Sequence, residues 1–334
     1  MNPVILLLFV SVLCQSAAKA ENYAGRDDVQ SFVSEMTQRH GFDSQQLLHL
    51  FAQTQPVAAA IKFIMPPKDP GVRSWHAYRG RFVEPKRIAA GLRFMQHQRE
   101  WLATAESRFG VPREIIAAII GVETIYGKHM GRFKTFPALT TLAFDYPPRA
   151  DLFRRELEEL LLLAREEKRD VMSYTGSFAG ALGLPQFLPS SIRRHALDFD
   201  SDGLVSLENS PADAIGSVAN FLVAHGWKTG MPIATQVSVD GIGLSAALEA
   251  GIQPSRTPEG WTAAGLLVEK VGAGTTADSA LADAPSALID LVTPNAKTEY
   301  RLGYHNFYVI TRYNRSSFYA SAVMDLAAEL RRSN

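Results

Sequence analysis

Phe109 to Gly127 reads F-G-V-P-R-E-I-I-A-A-I-I-G-V-E-T-I-Y-G, and the rest of the chain is organised around this stretch. Pro112 fits the first turn of a helix, and Glu114 follows where the helix dipole favours an anion. Ile116, Ile120 and Glu123 then recur at spacings of four and three, which places the Glu123 carboxylate along the apolar face. A carboxyl group in such a site has its charged form disfavoured and its pKa raised, which prepares it to donate a proton near neutral pH. Glu123 is therefore the candidate general acid. The competing reading is a helix-end carboxylate paired with an Arg or Lys elsewhere, the commoner fate of a buried charge.

The chain has 334 residues, enough for about two domains and a substantial core. Its 34 basic and 34 acidic residues balance, so nothing points to a nucleic-acid partner. Residues 1–20 form an apolar run too short to span a bilayer comfortably, closed by Ala18-Lys19-Ala20. They read as a secretory signal, although no Lys or Arg precedes the apolar run. Cys14 is the only cysteine, so no intrachain disulfide is possible. Leu13 is bulky where a bacterial lipoprotein signal requires a small residue, which favours soluble export over a lipid anchor. Cleavage after Ala20 would leave a mature chain without cysteine, as suits an exported protein.

Helical spacing runs through residues 28–65, with Val29, Phe32, Val33 and Met36, then Leu47, Leu48, Leu50 and Phe51. Met65 to Gly71, rich in proline, reads as a loop. Between Trp75 and Phe94 aromatic rings interleave with Arg and Lys; Tyr78 is open between a core position and a ring offered to a sugar face. Residues 128–150 look loop-rich, with Gly131, Pro137, Pro147 and Pro148. Asp151 to Asp170 is an amphipathic helix with a Leu157, Leu160, Leu161 stripe, and its terminal R-E-E-K-R-D is a solvated face. Thr175 to Ser191 gathers small residues around Gln186, as where backbone must approach a ligand closely; an ordinary tight loop reads the same way.

Asp198 to Asn209 reads D-F-D-S-D-G-L-V-S-L-E-N. Asp198, Asp200 and Asp202 occupy positions one, three and five of an EF-hand loop, Gly203 position six, and Leu204 offers a carbonyl at seven. Hard oxygen ligands point to calcium. Asn209 stands where the bidentate Glu would be, with Glu208 one place early, so binding should be weaker; a solvated acidic turn is the alternative. Standing alone rather than paired, such a loop is structural rather than a sensor. A helix follows over 211–227. Short runs at 234–239, 288–292, 299–303 and 306–311 read as strands of a small β-rich unit, with a short helix over 261–268. Arg312 to Leu330 ends the chain as a helix with Phe318, Ala322, Leu326 and Leu330 on one face. The chain is thus mainly α with a small β part.

Four ordered segments, E-T-I-Y-G at 123–127, G-S-F-A-G-A-L-G-L-P-Q-F-L-P-S-S at 176–191, the acidic loop, and I-T-R-Y-N-R-S-S-F-Y-A at 310–320, resemble the lytic murein transglycosylase B family in its membrane-bound and soluble forms. The resemblance covers nearly the whole mature chain. It implies a lysozyme-like helical core over 109–230 with the EF-hand-like loop, an α-helical domain from 21–108 and 312–334, and a small β-rich domain over 231–311.

It implies cleavage of the β-1,4 bond between N-acetylmuramic acid and N-acetylglucosamine in peptidoglycan, the muramyl C6 hydroxyl closing a 1,6-anhydro ring. Glu123 would be the acid and then the base. Ser177, Gln186, Tyr313, Asn314 and Tyr319 match groove positions, with Tyr78 and Arg149 matching less securely; Asp198, Asp200, Asp202, Leu204 and Asn209 match the metal loop. Pro148, Leu152 and Phe221 depart from the pattern at outer subsites. The implied partners are peptidoglycan strands, with association with other cell-wall enzymes and outer-membrane attachment as further expectations. The implied location is the periplasm, and the implied cofactor set is structural calcium with no organic group. A tethered hydroxyl at high effective concentration replaces the second carboxylate an ordinary glycosidase needs. The alternatives are a hydrolytic muramidase and a catalytically silent peptidoglycan-binding protein.

Overall fold

Apolar spacings of three and four dominate the chain, and the computed structural model is correspondingly mostly helical. It describes residues 22–66, 73–270 and 284–333. The expected export signal with Cys14, and most of the expected loop at 65–71, lie outside these residues. The chain divides into two compact units between Pro56 and Val57. In the first, α1 (Asp27–His40) buries Val29, Phe32, Val33 and Met36, and α2 (Ser44–Gln53) buries Leu47 and Phe51. Gly41 ends α1 in the left-handed conformation, φ 69°, and Asp43 caps α2 through Gln46 N.

The second unit begins with α3 (Ala58–Ile64), α4 (Trp75–Phe82), α5 (Pro85–His97) and α6 (Arg99–Phe109). It is built on α7 (Arg113–Thr124), in which every residue from Glu114 to Val122 is buried. A helix apolar all round must be enclosed; α15 (Ser317–Arg332), α5, α6 and α11 (Pro211–Ala224) pack against it. Phe318, Ala322, Leu326 and Leu330 of α15 are all buried, as their spacing predicts. Pro112 sits at the N-cap of α7, one place before the first turn, and Glu114 is buried between Arg113 and Arg331.

The expected loop at 128–150 is a short strand, β1 (Phe133–Lys134), followed by α8 (Thr135–Asp145). Pro137 falls in the first turn of α8, where the missing N–H has no partner to lose. α9 (Ala150–Glu166) buries the leucine stripe and leaves the charged run at its end largely in water. After β2 (Thr175–Gly176), which pairs with β1, comes α10 (Pro189–His195).

The β part is one antiparallel sheet, ordered β4 (Leu267–Lys270), β3 (Ala234–Asp240), β6 (Glu299–Gly303), β5 (Ala287–Leu291). It closes over α12 (Leu244–Glu249) and α13 (Pro258–Ala263) with Trp261, Leu288, Leu302 and Tyr304 at its centre. Two expectations fail here. The helix expected over 261–268 stops at Ala263 and gives way to β4. The run at 306–311 is not a strand but α14 (His305–Tyr313). Its β-branched and aromatic residues suit a strand, but the Asn306 side chain accepts from Lys228 N and donates to Lys228 O and Met231 O, which fixes the segment as a helix against α11's exit.

Candidate active site

Glu123 lies in the last turn of α7, and the chain reverses immediately after it. Ile125 and Tyr126 are both left-handed, φ 52° and 56°, followed by Gly127 at 91°. A β-branched residue in this conformation is strained, and three contacts hold the turn. The buried Arg87 guanidinium donates to Gly121 O at 2.9 Å and Val122 O at 3.3 Å, satisfying carbonyls at the helix end. Thr124 Oγ1 donates to Leu184 O at 2.9 Å and accepts from Gly127 N. The Tyr126 ring packs on Phe94 and its hydroxyl lies against Gly91 and Gly121, where any Cβ would collide with it.

The Glu123 residue is half-buried, and its Oε1 accepts from the Tyr319 hydroxyl at 2.7 Å. Burial pushes its carboxyl up from 4.5 to about 7, against the smaller downward pull of the Tyr319 bond. No Arg, Lys or His forms an ion pair with it among the described residues. The helix-end carboxylate held by a cation is therefore not what the chain builds.

Phenols from three helices surround this carboxyl. Tyr319 of α15 is buried, and Tyr313 of α14 stacks on it with centroids 6.3 Å apart. The Tyr313 hydroxyl donates to Pro185 O at 2.5 Å. Burial first, then the Glu123 charge, raises the pKa of Tyr78, Tyr313 and Tyr319 alike, so all three stay protonated donors. Tyr78 of α4 packs against Phe82 and Phe318 while remaining half-exposed, so it is both core ring and site ring. From Tyr313 a ladder of rings continues through Phe187 and Phe221 to His195 and His225. Phe221, one of the departures from the family pattern, is thus buried within this wall.

β1 pairs with β2 across the intervening α8 and α9, Phe133 opposite Gly176, which sets Gly131 after the α7 turn against the start of the Ser177 loop. Ser177 Oγ accepts from Ala181 N at 2.9 Å and Ala179 N at 3.3 Å, a use of lone pairs that leaves its proton for a donor role. Gln186, left-handed at φ 51°, donates from Nε2 to Gly183 O and Met130 O and so ties the two loops together. Behind it, the buried Glu156 accepts from Ser190 N and Oγ. Asn314 is exposed next to Tyr313, at the break between α14 and α15. Arg149 is exposed on a 3-10 turn with its guanidinium 5.4 Å over the Phe153 ring. Pro148 is exposed beside it, and Leu152 is half-buried.

In the acidic loop, carboxylate oxygens of Asp198, Asp200 and Asp202 lie within 4.8 Å of one another. This is an all-oxygen donor set on a loop turned by the left-handed Gly203, φ 92°, and it fits a hard cation such as calcium. Asn209 donates to Ser206 Oγ through both its backbone and side-chain nitrogens. Leu204 is 69% exposed. Sequence reasoning missed Asp213: fully buried, it accepts from Phe199 N at 2.8 Å and Ser206 N at 2.7 Å, bracketing both ends of the loop. Its signal was present as S-P-A-D, a cap in which Ser210 Oγ accepts from Asp213 N. Arg87, Thr124 and Phe187 were also missed; for Arg87 no one-dimensional signal exists, since its partners are 34 and 35 residues away.

The model of the transglycosylase SLT domain matches residues 24–328. Membrane-bound lytic murein transglycosylase B of Escherichia coli K12 is 37% identical over 314 residues, 91% of this chain and 83% of that protein. The soluble lytic transglycosylase SltB1 of Pseudomonas aeruginosa superimposes with TM-score 0.82 at 43% identity, covering 92% of this chain and 99% of that one. The Escherichia coli lytic transglycosylase Slt35 in complex with calcium does so with TM-score 0.78 at 36% identity, covering 93% and 95%. A domain match spanning almost every described residue, joined to these two folds, makes the chain a member of the SLT transglycosylase family.

Proposed function

We propose that this chain is a lytic transglycosylase that cleaves the β-1,4 bond between N-acetylmuramic acid and N-acetylglucosamine in peptidoglycan, with Glu123 as the acid and then the base. The observation that carries the reading is a carboxyl group held near neutrality by burial, hydrogen-bonded to a phenol and ion-paired to no described residue. At pH 7 such a group is protonated in a large fraction of molecules, as a general acid must be.

The Glu123 proton passes to the bridging oxygen as the bond from the muramyl C1 to that oxygen breaks. The carboxylate left behind is stabilised by the Tyr319 hydroxyl. It then takes the proton of the muramyl C6 hydroxyl as that oxygen bonds to C1, which closes the 1,6-anhydro ring and restores Glu123. No water is consumed. Tyr78, Tyr313, Asn314, Ser177 and Gln186 line the glycan groove, and Arg149 belongs to an outer subsite.

Supporting the lysozyme-like core over 109–230, α7 presents its carboxylate at the helix end beside the Ser177 to Gln186 loop. Residues 21–108 with 312–334 form the accompanying helical domain and 231–311 the small β-rich one. The acidic loop holds a structural calcium through Asp198, Asp200 and Asp202, with the Leu204 carbonyl and Asn209 as the remaining ligands. The enzyme works in the periplasm, where its substrate lies; among the described residues no helix is long and apolar enough to cross a membrane.

The test is Glu123→Gln on purified sacculi with mass spectrometry of the digest. The expected result is loss of lysis with glycan binding kept, and 1,6-anhydromuramyl ends from the native enzyme. Reducing ends would make it a hydrolytic muramidase, and retained lysis would remove Glu123 from the chemistry.

A further inference from the structure

The four-stranded sheet grips the helix that carries Tyr78. The segment leaving β5 supplies the first acceptors of α4: Trp75 N donates to Val292 O at 2.7 Å and His76 N to Thr293 Oγ1 at 3.2 Å. One turn further, Arg79 Nε donates to Asp325 Oδ2 of α15 at 2.6 Å, and Arg301 of β6 lies 2.9 Å from the other oxygen, Oδ1. Arg301 and Asp325 have side chains only 8% and 13% exposed, so this charge cluster is largely shielded from water.

The same Arg301 guanidinium stands 5.5 Å over the Trp75 ring, and Trp75, fully buried, stacks on Tyr78 at 6.4 Å and 20°. A helix of eight residues has little stability of its own. Its direction, and with it the direction of Tyr78, follows from what holds its two ends.

We propose that Arg301 and Asp325 are positioning residues for Tyr78, so that the sheet unit anchors one wall of the glycan groove. This rests on the reading of Tyr78 as a groove residue. Arg301 acts through Trp75, and Asp325 acts through Arg79; neither touches the sugar. Replacing Arg301 by Met removes the guanidinium from the grip but leaves Asp325 bonded to Arg79 and the two β5-side bonds in place, so no buried carboxylate is left unpaired.

The experiment is a double-mutant cycle on the full chain with a soluble peptidoglycan glycan oligosaccharide, following KM and kcat with Tm as a control. Arg301→Met is expected to raise KM about 5-fold to 10-fold while kcat falls less than about threefold, the split expected when substrate binding rather than chemistry is disturbed. Arg301→Lys, which keeps the charge facing Asp325, restores KM to within about twofold of the native value. In a Tyr78→Ala background, Arg301→Met changes KM by less than about twofold, because the ring it orients is gone.

Additive effects of the two substitutions on KM, or an unchanged KM in Arg301→Met, overturn the proposal. Should Arg301→Met fail to fold, Asp325→Asn carries the same cycle with the same two readings. Additivity with lysis still abolished in Glu123→Gln sinks this inference alone, whereas retained lysis in Glu123→Gln sinks the functional reading beneath it.

Discussion

Glu123→Gln should make this protein more stable as well as inactive, and the gain should grow with pH. The carboxyl ionises at about 7 in the folded chain against 4.5 when free. Its folded pKa is raised, so the folded state binds the proton more tightly. Stability is therefore undiminished below the unfolded value and falls as pH rises towards the folded one, levelling off above it. The displacement corresponds to a loss of up to about 3 kcal/mol at pH 8.5, and about 1 kcal/mol at pH 5.

Glutamine has nearly the same shape, still accepts the Tyr319 hydrogen bond through its carbonyl oxygen, and carries no charge to desolvate. Urea unfolding of both proteins at pH 5 and pH 8.5 measures the difference. The midpoint gain should be small at pH 5 and correspond to about 2 to 3 kcal/mol at pH 8.5. A gain that is equal at the two pH values, or a loss at pH 8.5, would refute the claim that burial holds this group near neutrality.

Tyr319→Phe removes the phenol bond that stabilises the Glu123 carboxylate. The alkaline limb of the pH–rate profile for sacculus lysis should move up by about one pH unit, with a plateau rate roughly 10-fold lower; a downward move contradicts the geometry. Gly121→Ala drives a Cβ into the Tyr126 hydroxyl and should cost about 1 to 3 kcal/mol in denaturant unfolding, with Tyr126→Phe recovering part of it. A chelator should lower Tm, by the equivalent of about 3 kcal/mol if calcium had been present at a hundred times its Kd. A shift under one degree removes the metal from the account.

The long periodic segments were legible because burial follows their spacing directly. Val29 to Met36, the leucines of α9 and the Phe318 stripe all face inward as read. What failed was short and ambiguous. Asn306 to Thr311 has strand-forming residues, yet it folds as a helix whose start is tied by the Asn306 side chain to a segment 75 to 78 residues away. Pro147 and Pro148 do lie in a connecting 3-10 turn, but Pro137 sits in the first turn of α8, and a proline there cannot be told from one in a loop without the helix's end points.

For the site, the apolar setting of Glu123 was readable from its own helix, but its partners were not. Tyr319 is 196 residues away, and the motif resemblance alone named it. Counting along the acidic loop named Asn209 but not Asp213 of the next helix, which accepts from Phe199 N.

The seat of Tyr126 has an evolutionary corollary. Its ring occupies a slot that exists only because two other positions, one on α5 and one on α7, have no side chain at all. Gly91, Gly121 and Tyr126 should therefore drift as a set across descendants of this sequence. A lineage that enlarges either glycine must first shrink the aromatic ring, and in doing so loosens the reversal that holds the acid in place.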